Sequence, residues 1–135
     1  MTVATRDEVR SGIQDVLRSV DGLDNVYAFQ HMSPTPPAAI VPLFGYDPQA
    51  VLSGSAWNAQ VPLLVLVGTG DMETADQQLA ALQEPIVDAF NDDPSLGISG
   101  VDCIVSAVGE GQIISLADTG VLYYSVTFTL DVLAS

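Results

Sequence analysis

Apolar positions follow two rhythms along this chain. Val9, Ile13, Val16, Leu17 and Val20 recur every three or four residues and draw one apolar stripe along a helix. Thr5-Arg6-Asp7-Glu8 stands before the stripe in the form of a capping box, in which the Thr5 hydroxyl accepts from the Glu8 amide and the Glu8 carboxylate accepts from the Thr5 amide. Asp21-Gly22 supplies the breaker that ends this helix near Val20. A second helical rhythm, Met72, Ala75, Leu79, Leu82, Ile86 and Phe90, falls on one face within about 80° at about 100° per residue. Asp71 is placed to cap it, and Pro85 is expected to kink it.

Elsewhere the pattern is that of strands, expected at 26–29, 38–45, 59–67, 101–108, 112–116 and 121–133. Three prolines between 31 and 37 forbid a helix or a central strand there. Pro42 withholds one ladder donor, which argues for an edge, a bulge or a break at that point. Residues 46–58 mix Gly, Ser, Pro and Asp around a lone Trp57 and read as a long surface loop, residues 91–100 as another, and 109–111 and 117–120 as turns. The order is helix, three strands, helix, three strands, without a repeat. It predicts one α+β domain spanning 1–135, with a mainly antiparallel or mixed sheet of about six strands and both helices packed on one face.

Composition adds the electrostatics. Lys plus Arg number 3 against 17 for Asp plus Glu, no lysine is present, and the formal net charge is −14. Stable binding to a nucleic-acid backbone needs clustered cations that displace condensed counterions, so no such binding is expected. The same charge suits a surface past which DNA slides. Glu73, Gln77, Glu84 and Asp88 fall opposite the apolar face of the second helix, which carries no basic residue to compensate them. The longest aliphatic run, 61–67, is far below the roughly 20 residues of a membrane span, and the N-terminal stretch opens into an amphipathic helix with no apolar leader, so neither secretion nor membrane insertion is expected.

Candidate chemistry is sparse. Gly68-Thr69-Gly70 between strand and helix imitates a dinucleotide-binding turn, but Glu73 stands where a third Gly or Ala belongs and Asp71 would repel an anion, so a tight turn with a helix cap is the better reading. His31 is the sole histidine and lies in a proline-rich loop outside any recognisable catalytic motif. Cys103 is the sole cysteine, sits in a strand pattern, and is expected to be a small buried apolar residue. Asp92-Asp93 lacks the spacing of a calcium loop. No catalytic residue, cofactor or metal is expected.

The segments taken together resemble the tail-terminator, or tail-completion, family of long-tailed bacteriophages. The likeness covers nearly the whole chain as a pattern of segments and contains no diagnostic short motif. It is carried by the N-terminal amphipathic helix ending near Gly22, the strand at 26–29, Pro36-Pro37-Ala38-Ala39-Ile40-Val41, the strand at 61–67 leading through Gly68 to Asp71 and the helix with Leu79, Leu82 and Ile86, and the ending Tyr123-Tyr124-Ser125-Val126-Thr127-Phe128-Thr129-Leu130. The resemblance implies a non-enzymatic α+β subunit at the head-proximal end of the virion tail. It would assemble with copies of itself as a hexameric ring on the last ring of tail-tube protein, stop tube polymerisation and offer a surface to the head-side connector. A connector (stopper) or minor tail protein is the nearest alternative, and a small cytosolic ligand-binding domain is a second. The near absence of cations departs from any docking mode built on basic patches.

Under this reading Tyr46 and Trp57 are candidate interface anchors, although Trp57 can equally fold back onto its own core. Arg6 and Arg10, four residues apart, either reach acidic groups on an adjacent subunit or pair with Asp7 or Gln14 on their own helix. The stripe of Glu73, Glu84 and Asp88 is expected to line or approach the DNA channel.

Overall fold

The computed structural model of the 135-residue chain describes residues 3–28, 34–48, 56–116 and 120–135. The first helix, α1, spans Arg6–Arg18, and both halves of the capping box form: Thr5 Oγ1 accepts from the Glu8 amide at 3.1 Å and Glu8 Oε1 from the Thr5 amide at 3.2 Å. Its stripe is buried, with Val9, Ile13 and Leu17 fully removed from solvent. The second helix, α2, spans Met72–Asp92 and runs through Pro85, two residues further than the loop expected from 91 onward. Pro85 is exposed, while Ala75, Leu79, Leu82, Ile86 and Phe90 are buried together. The apolar period thus places both helices.

Among the described residues seven strands form one sheet: β1 (Asn25–Tyr27), β2 (Ala38–Ile40), β3 (Asp47–Pro48), β4 (Trp57–Gly68), β5 (Val101–Val108), β6 (Gln112–Ser115) and β7 (Leu122–Ala134). The six expected strands are all present, and the two-residue β3 joins them. The order is β1-β2-β4-β7-β5, with β3 on β4 and β6 on β7; only β1 and β2 pair in parallel. The fold is therefore α+β with a mainly antiparallel sheet.

Two long strands make the frame. β4 and β7 pair without interruption from Trp57↔Ala134 to Gly68↔Tyr123. Each is flanked by a broken partner. On the outer edge of β4, β2 pairs with 64–66 and β3 with 57–58, and the chain leaves the ladder between them around Pro42. The strand expected at 38–45 stops at Ile40 for the reason that proline supplies: it has no N–H to donate. On the outer edge of β7, β5 and β6 are separated by 109–111, and β5 itself slips register between Val105 and Ala107. The strand expected at 26–29 ends at Tyr27, and Phe29 lies outside the described residues.

Alternation along β4 and β7 separates two faces. Trp57, Ala59, Val61, Leu63, Val65 and Val67 of β4 meet Val126, Phe128, Leu130, Val132 and Ala134 of β7 in one core with the buried residues of α1 and α2, so both helices lie on this face. On the reverse face a smaller cluster of Ala38, Ile40, Leu66 and Tyr123 is buried at the β6 end of the sheet, where the Tyr123 hydroxyl donates to Pro34 O at 3.0 Å. At the opposite end of the reverse face Gln60, Asp102, Ile104 and Leu133 are exposed.

Two glycines permit close approaches. A Cβ on Gly12 would stand 2.9 Å from Leu96 Cβ, so α1 seats against the loop after α2 only because that side chain is missing. Gly100 has φ of +82° and lies against the C-terminal Ser135, whose amide donates to Gly100 O at 2.9 Å.

Candidate assembly surfaces

Arg6, Arg10, Tyr46 and Trp57 come together at one corner of the molecule. Arg10 sends Nε and Nη2 to Val41 O at 3.0 and 2.8 Å, and Arg6 sends Nη1 to Phe44 O at 3.1 Å. The Arg6 guanidinium also lies 5.0 Å from the centre of the Tyr46 ring. The segment between β2 and β3 cannot satisfy its carbonyls in a ladder, and α1 provides the donors instead. Neither arginine bonds to Asp7 or Gln14, as one expectation had it, nor is its guanidinium left unengaged for a neighbour.

Trp57 is the first residue of β4 and not part of a loop. It is buried, its indole N–H donates to Ala4 O at 2.9 Å, and Phe44 and Tyr46 pack on it at ring-centre distances of 6.3 and 5.8 Å. This corrects its reading as an interface anchor: a ring whose faces and N–H are already occupied inside the subunit has little left to offer a partner. Tyr46 remains 49% exposed and keeps one side turned outward.

Glu73, Glu84 and Asp88 are exposed on the outer side of α2, where the helical period placed them. Asp88 also borders a groove of about 580 Å³ between the helices, with Val16, Val20, Pro85, Ala89 and Leu96 at its base and Asp15, Asp21, Asp92 and Asp93 around it. The helical layer thus carries most of the negative charge.

The exposed end of the reverse sheet face is a shallow depression of about 490 Å³ lined by Asn58, Gln60, Asp102, Ile104, Asp131 and Leu133 among others. Ile104 and Leu133 are 48% and 44% exposed, well above what strand residues show in a covered layer. Asp131 pairs across the ladders with Gln60 and Ile104, and Asp102 with Leu133, which puts the two carboxylates on this face. Asp131 Oδ1 is shielded from solvent yet accepts no hydrogen bond from any described residue. A carboxylate oxygen in that condition is costly to the fold. Nothing in the sequence marked this site, because it depends on which face of β5 and β7 is left uncovered.

The remaining candidates resolve into structure. Asp71 accepts from the Glu73 amide at 3.1 Å and from the Thr74 hydroxyl at 2.8 Å, so it caps α2. The Thr74 hydroxyl first, and the Glu73 amide with it, hold the Asp71 carboxyl below its ordinary value. Cys103 is fully buried, and burial, with the nearby charges of Asp102 and Asp131, pushes its thiol up to about 12, which leaves it in the unreactive form. His31 lies outside the described residues. Among the described residues no three His, Cys, Asp or Glu side chains stand close enough together to hold a metal ion, and no helix is long and apolar enough to cross a membrane. Neither the protein-family models nor the curated proteins include a match to this chain.

Proposed function

We propose that this chain is a structural subunit of a bacteriophage tail, which caps the tail tube as a homo-oligomeric ring at its head-proximal end and offers the head-side connector its joining surface. The observation that carries this reading is the uncovered end of the sheet, where Ile104 and Leu133 stand exposed beside Asp102 and Asp131, one of whose oxygens, Asp131 Oδ1, has no donor among the described residues. Exposed aliphatics around incompletely satisfied polar groups are what a subunit presents before its neighbour arrives. The segment order and the two-layer α+β arrangement support the same reading.

With Arg6 and Arg10 tied to the subunit's own carbonyls, apolar and backbone contacts have to dominate docking on the tube. The exposed stripe of Glu73, Glu84 and Asp88 then serves passage: in a lumen it would repel the DNA backbone and keep it from adhering. Tyr46, with its outward side, is the remaining aromatic contact of the four residues first considered.

The test is electron microscopy of particles assembled without the protein. Overlong or unfinished tail tubes are expected; normal free tails beside filled or leaking heads would instead assign the chain to the connector and overturn the terminator reading.

A further inference from the structure

The chain has three arginines and no lysine with which to answer 17 carboxylates. Two of the three are spent inside the subunit, Arg10 on Val41 O and Arg6 on Phe44 O and the Tyr46 ring. Arg18 is different. It ends α1, its side chain is 59% exposed, and its contact is a single 3.6 Å approach to Asp15, a residue that is itself 75% exposed. An exposed pair of that kind contributes little and exchanges readily for a better partner.

The depression on the reverse sheet face has the complementary need. Asp102, which is exposed, and Asp131 lie together there without a cation among the residues that line it, and Ile104 and Leu133 supply exposed apolar surface beside them. We infer that Arg18 of one subunit docks on the Asp102–Asp131 depression of the next, with its aliphatic stem over Ile104 and Leu133. This deepens the ring reading proposed above and rests on it.

Charge and geometry both select a second copy as the occupant. Arg18 sits in the helical layer and the depression lies on the opposite face of the sheet, so the two surfaces are different patches of one subunit. A contact between patches on opposite faces is heterologous and gives a ring when the rotation between subunits closes and a filament when it does not, whereas an isologous dimer needs one face to meet itself. Guanidinium suits the site because its planar fork serves two carboxylates while its stem covers aliphatic surface. Contact between two helical layers, by contrast, would bring uncompensated carboxylates together.

The experiment measures the assembly state of the full chain by sedimentation equilibrium at low salt and at about 0.5 M salt, where exposed charge pairs are screened. Wild type is compared with Arg18→Asp, Asp102→Arg, the double exchange, and Glu110→Gln, an exposed residue of the turn between β5 and β6, as a control outside the contact. Each single reversal is expected to weaken assembly by about tenfold or more, as expected for replacing attraction with repulsion at a charge pair, and the double exchange to recover most of that loss. The control should assemble as wild type does. Circular dichroism verifies that every variant is folded, and Arg18→Gln and Asp102→Asn stand in for any reversal that is not. Rings that form equally well with Arg18→Asp, or a double exchange no better than the single reversals, overturn the Arg18 contact and leave the ring reading standing. A wild-type chain that stays monomeric at all concentrations and also forms no ring on tail-tube ends overturns both.

Discussion

At the level of single residues, Trp57 shows how a side chain's role depends on neighbours far along the chain. Its indole is held by Ala4, stacked by Phe44 and met edge-on by Tyr46, none of them adjacent in sequence. Trp57→Ala is therefore expected to cost about 3–5 kcal/mol of folding stability through a cavity in the core, measured by urea denaturation. A loss of assembly with stability unchanged would return Trp57 to the interface. The arginines tell a similar story: their spacing on α1 was plain, but their partners are carbonyls exposed by the gap between β2 and β3, and no side-chain pattern announces a carbonyl. Asp71 was legible, since cap chemistry is local. Because its carboxyl titrates below the ordinary value of 3.8, its stabilising effect is complete above that value and is lost as pH falls through the folded-state pKa. Asp71→Ala should lower the urea midpoint at neutral pH, and the difference from wild type should close in acid; a gap that persists in strong acid would contradict the cap.

At the level of elements, the helices and long strands were readable because their apolar periods report a whole buried face. β4 and β7 carry period two over twelve pairs, a signal that survives a few irregular positions. The edges were less so. β3 is two residues long, too short for any period, and β2 ends where Pro42 interrupts the ladder. The seat of α1 against the loop after α2 was also invisible, since Gly12 reads in sequence only as a weak point in a helix. In the fold its missing Cβ is what admits Leu96. Gly12→Ala, which raises helix propensity, should nonetheless destabilise the protein by about 1–3 kcal/mol through overpacking of that contact. Thermal unfolding decides the sign: a higher midpoint for the alanine variant would show that the helix and loop can part without cost.

For the whole molecule, fold class followed from the order of segments, whereas the surfaces proposed for assembly did not. Which sheet end stays uncovered, and which arginine keeps its charge available, are outcomes of packing and become visible only in three dimensions. The resulting molecule is polarised, with its negative charge concentrated in the helical layer and exposed aliphatics at one end of the reverse sheet face. Under the proposed reading, such a body joins others while a charged polymer passes it. For the proposed tail-terminator role, the most direct measurement adds the purified protein to phage tail tubes and images the tube ends by electron microscopy. Closed rings seated on one end of the tubes, with elongation halted, are the predicted result; tubes that continue to grow with bare ends at saturating protein would contradict it.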